Sequence, residues 1–197
     1  MKTNIIVIDD FLDEPDVVRQ SVVTGGLQHF RLEGNYPGAR TLPAQPDYQE
    51  MISEKLESIV GFKIVRDPTD NSTNFSFSLS LEDDVGKGCV HQDWCHWSGV
   101  LYLTPNAPIE SGTIVFKEYT KPNPKNDDYN SLLTTTVGNI YNRLILFNGN
   151  LPHRCNLEGF GNSVETGRLS QHFFFNHPDW PPLNKIKPYE IVDPYSQ

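Results

Sequence analysis

The residues whose types and spacing could do chemistry are His91, Asp93 and His153, followed further along by Arg168 and Ser170. On an extended chain, residues i and i+2 point the same way. His91 and Asp93, in Val90-His91-Gln92-Asp93-Trp94, would therefore converge on one side, about 6–7 Å apart. His153 lies in Leu151-Pro152-His153-Arg154, just past the apolar run Leu144-Ile145-Leu146-Phe147. That is a strand-end position, suited to the mouth of a barrel. Two imidazoles and one carboxylate are the donors that a non-haem Fe(II) ion takes when three of its positions stay open. A 2-oxo acid can fill two of these and O2 the last. Arg168 opens the run Arg168-Leu169-Ser170-Gln171-His172-Phe173-Phe174-Phe175 and shares a face with Ser170. A guanidinium fork beside a hydroxyl matches a carboxylate held in a pocket.

Taken singly, these signals are weak. A His-x-Asp triplet on a strand is commonly a surface pair, and a lone strand arginine commonly makes an edge salt bridge. Their order along one chain gives them weight. The cysteines supply a rival. Cys89-x-His91, Cys95-His96 and His153-x-Cys155 can be read as a Cys/His zinc site, which would make the protein a zinc-stabilised binding module. No Cys-x-x-Cys pair supports that reading. A catalytically silent metal-binding fold is a third class. Around the motif, Tyr102 lies in the next strand, where a core position with a satisfied hydroxyl is one reading. Trp94 and Trp97 would wall a substrate pocket or pack as core, and His172 shares the face of Arg168 and Ser170. His96 is a second-choice ligand. Arg40 would reach an acidic substrate, with a surface position the plainer reading.

The elements that must position these residues follow from hydrophobic period. Residues 4–8 are mostly β-branched and read as a strand. Asp13-Glu14-Pro15-Asp16 reads as a helix start, with Val17, Val18, Val22 and Val23 as its buried stripe and Gly25-Gly26 as its end. Residues 30–46, with two glycines and three prolines, read as loop. Asp47 and Glu50 suggest a capping box for a second helix carrying Ile52, Leu56, Ile59 and Val60 and closed by Gly61. From residue 62 the period becomes two. Strands are expected at 62–66, 74–81, 99–104, 113–116, 132–137, 143–147 and 168–176. Residues 118–131 are polar and rich in Pro, Asn and Asp, a loop that could serve as a lid. The expected fold is mainly β (α+β), a jelly roll with two N-terminal helices packed outside the sheet. We expect one domain over 1–197, with helical support at 1–61 and a surface tail at 177–197.

Composition narrows the function. The net charge of −9 provides no basic field to attract phosphates, which argues against nucleic-acid binding. The three cysteines, an odd number, suggest reduced thiols. No apolar run approaches the roughly 18 residues of a membrane span. The expected location is the cytoplasm.

The order His91-x-Asp93, His153, Arg168-x-Ser170 resembles that of the Fe(II)/2-oxoglutarate-dependent dioxygenases. The resemblance covers about residues 72–176, where it implies a double-stranded β-helix core. The opening residues 5–18 are similar to those of the prolyl-hydroxylase-like branch, especially its small bacterial and phage members. The resemblance implies that His91, Asp93 and His153 bind Fe(II), and that Arg168 and Ser170, with Tyr102 near, hold 2-oxoglutarate. It implies a hydroxylase that couples oxidation of a small-molecule, peptide or protein substrate by O2 to decarboxylation of 2-oxoglutarate to succinate and CO2. Classical prolyl hydroxylases carry lysine where Arg168 stands, so a prolyl substrate does not follow. Halogenases of the superfamily lack the carboxylate, so Asp93 points to oxygen transfer.

Overall fold

The computed structural model describes residues 4–24, 30–31, 38–66, 73–84, 90–93, 95–119, 131–156 and 159–180. The chain opens with strand β1 (Ile5–Ile8) and helix α1 (Pro15–Thr24). Asp16 lies in the first turn of α1, where a negative charge complements the helix dipole. Val22 is buried and Val18 and Val23 pack beside it, but Val17 is 61% exposed and lies outside the stripe. Helix α2 (Pro46–Val60) starts earlier than a capping box at Asp47 would require. Gln45 precedes it in extended conformation with no side-chain cap. Pro46 does the work instead, since its ring fixes a helical φ and it has no N–H to satisfy. Gly61 closes the helix at φ 79°, donating its N–H to Glu57 O.

Strands β2 (Phe30–Arg31) and β3 (Ala39–Arg40) fall inside the stretch expected to be loop. Two-residue strands are too short to show a period. Gly38 lets β3 lie against Leu79: it sits at φ 83°, and a Cβ there would lie 2.1 Å from Leu79 O. The later strands are β4 (Phe77–Ser80), β5 (Trp97–Tyr102), β6 (Thr113–Tyr119), β7 (Ser131–Val137), β8 (Leu144–Asn148), β9 (His153–Cys155) and β10 (Arg168–Phe175). The strand expected at 62–66 is reduced to one bridge, Val65 to Asn176. β4 begins late because residues 73–75 turn, with Phe75 at φ 60°. The expected loop at 118–131 is narrower, since β6 runs to Tyr119 and β7 starts at Ser131. The lid expectation otherwise falls on residues outside those described, as do Cys89, Trp94 and residues 181–197 of the tail.

These strands form two antiparallel sheets, one ordered β1-β8-β5-β10-β4-β3-β2 and one ordered β7-β6-β9. With the two helices, this is a mainly β architecture consistent with a jelly roll. On one face of the larger sheet, Leu101, Leu144, Leu146, Leu169 and Phe173 cluster with Val22, Ile52 and Leu56 of the helices. On the other, Val100, Tyr102, Ile145 and Phe147 cluster with Val115 and Val137 of the smaller sheet. Strands covered on both faces are apolar throughout rather than alternating, and β5 and β8 are buried at every position. The polar side chains of β10 (Arg168, Ser170 and His172) lie on the face toward the smaller sheet by the same alternation.

Candidate metal centre

His91 and His153 are joined by backbone. The N–H of His91 donates to His153 O at 3.0 Å, and the N–H of His153 donates to His91 O at 2.9 Å. One residue of the motif thus extends the smaller sheet beside β9, and the two rings come within 4.3 Å of each other between centroids. Asp93 belongs to no ladder. Its N–H donates to Gly149 O at 2.7 Å. Gly149 must be glycine, because a Cβ there would lie 2.6 Å from Cys95 O and 2.8 Å from Cys95 Sγ. The expected convergence of His91 and Asp93 is present, but a bridge and a glycine contact achieve it rather than one continuous strand.

The donor atoms of His91, Asp93 and His153 all lie within 4.8 Å of one another, a grouping able to hold a metal ion. Asp93 Oδ1 is 3.8 Å from His91 Nε2, and Oδ2 is 3.3 Å from His153 Nε2. Burial alone would raise the Asp93 carboxyl, but the His153 imidazole, then His91 and the Ser98 hydroxyl, hold it well below the usual carboxylate range. Burial pulls the His153 pKa down, and Asp93 outweighs it, so the net shift is upward. His153 Nδ1 lies 2.9 Å from Leu151 O. A carbonyl can only accept, so Nδ1 carries a proton, and Nε2, which faces Asp93, is the nitrogen left to ligate a metal ion in place of its own proton. A carboxylate held ionised and an imidazole fixed in the ligating tautomer fit a divalent ion. Ser98 Oγ donates to Asp93 Oδ2 at 2.5 Å and fixes its orientation.

Arg168 is 7% exposed, and its Nε donates to Ser111 O at 3.1 Å. Among the described residues no carboxylate pairs with it. Ser170 is fully buried and lies across from Tyr102 in the ladder between β10 and β5. The Tyr102 hydroxyl pairs with Thr113 Oγ1 at 2.7 Å. Burial, against the charge of Arg168, keeps it protonated by pushing its pKa up. His172 Nε2 is 3.2 Å from Ser170 Oγ. Its own surroundings, through desolvation first and then the charges of Arg40 and Arg168, hold it neutral well below the ordinary histidine value. His91 and Asp93 also act electrostatically on His172. His172 is therefore within electrostatic reach of both the metal group and Arg168.

Several readings change. Arg40 is buried, at 4% exposure, on β3, and is not a surface arginine. Trp97 packs in the helix-side cluster, on the face turned from the metal group. His96 stacks on Trp180 at 4.3 Å and is outside the donor group. The Cys95 thiol donates to Trp97 O at 3.2 Å, and neither Cys95 nor Cys155 joins that group. Ser98, Ser111 and Gly149 were not singled out by sequence, which holds no local pattern that separates them from other serines and glycines.

No family model matches the sequence, and no curated protein does either. Solved structures do. A prolyl hydroxylase from Trichoplax adhaerens, in complex with a hypoxia-inducible-factor peptide, matches with TM-score 0.53 and 13% identity, over 87% of this chain and 83% of its own. A non-haem α-ketoglutarate-dependent carbocyclase of nogalamycin biosynthesis matches with TM-score 0.53 and 10% identity, over 87% and 79%. HygX from Streptomyces hygroscopicus, with nickel and 2-oxoglutarate bound, matches with TM-score 0.51 and 14% identity, over 90% and 84%. The fold is that of the Fe(II)/2-oxoglutarate-dependent oxygenases. At these identities the likeness to prolyl hydroxylases and other oxygenases is one of fold. Within this fold the His91–Asp93–His153 group is able to hold a metal ion. No helix among the described residues is long and apolar enough to cross a membrane.

Proposed function

We propose that the protein is an Fe(II)- and 2-oxoglutarate-dependent oxygenase, a hydroxylase in its ordinary turnover, and that its two sheets form the double-stranded β-helix of that superfamily. The observation that carries this reading is Arg168. It is a buried guanidinium with no carboxylate partner among the described residues, on the face of β10 turned toward the smaller sheet, whose strand β9 carries His153. A buried cation is costly unless an anion accompanies it, and a dicarboxylate co-substrate supplies one. The oxygenase fold and the ligating tautomer of His153 support the same reading. His91, Asp93 and His153 would hold Fe(II), and Arg168 with Ser170 would hold the distal carboxylate, with Tyr102 behind them. When bound, Fe(II) with 2-oxoglutarate and O2 supplies oxidative decarboxylation to succinate and CO2, coupled to oxidation of a substrate. The chain itself fixes the ligands, keeps Asp93 ionised and shields the pocket from water. The acidic surface suits a small-molecule, peptide or protein substrate over nucleic acid.

The test is anaerobic titration of the Fe(II)-loaded protein with 2-oxoglutarate, followed by succinate release on admitting air across a substrate panel. Arg168→Ala should raise the Kd for 2-oxoglutarate about 10- to 100-fold, the loss of a charged hydrogen bond, while iron affinity stays. An unchanged Kd would remove the co-substrate assignment. Tight 2-oxoglutarate binding with no succinate under any substrate would mark a silent binding fold.

A further inference from the structure

We propose that His172 is a positioning residue for the co-substrate: its Nε2–H donates to Ser170 Oγ and turns the serine proton toward the bound carboxylate. This rests on the reading that Arg168 and Ser170 hold the distal carboxylate of 2-oxoglutarate. The geometry is a three-step row. Arg168, Ser170 and His172 stand at alternate positions of β10, so all three face the inter-sheet space.

Ser170 is fully buried, and its Oγ lies 3.2 Å from His172 Nε2. A serine hydroxyl has one proton and two lone pairs. If Ser170 spent its proton on His172, it would meet an incoming carboxylate with lone pairs only, and two acceptors would repel. If the imidazole carries its proton on Nε2, the serine accepts from it and its own proton is free for the anion. The opposite tautomer leaves the hydroxyl unable to serve. The arrangement needs a neutral imidazole with one mobile proton, and the guanidiniums of Arg40 and Arg168 near His172 oppose a second proton there.

No sequence signal beyond shared parity singles out His172. Its function is read from the Ser170 contact alone. Arg168 supplies charge, Ser170 supplies a directed donor, and His172 decides the direction. A hydrogen bond of this kind contributes a factor of about 3 to 10 in affinity.

The experiment measures 2-oxoglutarate Kd on the anaerobic Fe(II) protein, in wild type and in Ser170→Ala background. His172→Phe should weaken binding about 3- to 10-fold in the wild-type background and change nothing once Ser170 is alanine. Iron affinity should stay as in wild type. His172→Gln places an amide N–H at the reach of Nε2 and should restore binding, whereas His172→Asn, whose amide stops short, should not. If the phenylalanine variant does not fold, this Gln/Asn pair carries the test alone. In the Zn(II)- and 2-oxoglutarate-loaded protein, long-range proton–nitrogen spectra should place the His172 proton on Nε2.

A weakening that persists in the Ser170→Ala background, equal Gln and Asn affinities, or a proton on Nδ1 would overturn the proposal. If Arg168→Ala and Ser170→Ala weaken binding while His172→Phe does not, His172 plays no part and the co-substrate reading stands. If neither Arg168→Ala nor Ser170→Ala weakens it, the co-substrate reading itself fails, and this inference with it.

Discussion

On β10, Leu169 and Phe173 are fully buried against the helix-side cluster, while Arg168, Ser170 and His172 face the smaller sheet. The same division runs through β5, where Leu101 points to the helices and Tyr102 to the inter-sheet space. One backbone therefore carries two surfaces by period-two alternation alone. The helix-side surface is apolar and close-packed, and there any missing methyl leaves a cavity. The inter-sheet surface is apolar at Val100, Ile145 and Phe147 and polar at Arg168, Ser170 and His172. Its polar groups are held by specific partners, such as Ser111 for Arg168 and Leu151 for His153. The contrast implies that stability and function fail at different residues of one strand.

The largest expected effect is on the site. Asp93→Ala removes one of the three proposed ligands and leaves two imidazoles, so on the proposed function succinate formation should fall by more than the roughly 100-fold that outer-shell partners alone cost. Circular dichroism should show an intact fold. Phe173→Ala should do the reverse. Phe173 is fully buried and packs edge-to-face on Phe75 with centroids 5.4 Å apart. Its loss should cost about 3–5 kcal/mol in urea denaturation, with metal binding retained below the lowered midpoint. Loss of metal binding in fully folded Phe173→Ala protein would show that the two faces are not separable.

Ser98→Ala sharpens the division further, because Ser98 is nearly fully buried yet touches the site through Asp93. Metal affinity, read by competition with a chromophoric chelator, should fall about 10- to 100-fold. The melting temperature of the metal-free protein should change little. Unaltered affinity would mean that Asp93 is held by its backbone contact to Gly149 and not by the hydroxyl.

The legible part of this molecule was the part with a period or a local rule. Both helices, β1 and the long strands follow from apolar spacing, and Gly61 ends α2 by a local backbone rule. The donor set His91, Asp93 and His153 was legible from residue types, and the structure brings its three members together. The bridge between His91 and His153 was not, because pairing partners 62 residues apart leave no mark in either segment. β2 and β3 were hidden by their length, and with them the burial of Arg40. Trp97 takes the core position of its two expected readings, and only the register tells which face of β5 it occupies. The strand expected at 62–66 has the right composition, but a single bridge to Asn176 is all the sheet it finds.

The smallest expected effect tests whether the inter-sheet face is as closed as the helix-side face. His172 is held neutral in the folded protein, its pKa well below the ordinary value of 6.5, first by desolvation and then by Arg40 and Arg168. Between 6.5 and that lower value the unfolded chain binds a proton that the folded chain does not. Its share of stability is therefore fully present above pH 6.5 and is lost as the pH falls toward the folded value. Metal-free wild type should lose more melting temperature between pH 7.5 and pH 5.5 than His172→Phe, by up to a few degrees. His153 and Asp93 titrate in both proteins, so their contributions cancel in the difference. Parallel losses in the two proteins would mean that His172 is solvated like a surface histidine. The inter-sheet face would then be an open groove rather than a second interior, and the pocket would hold its anion in water rather than away from it.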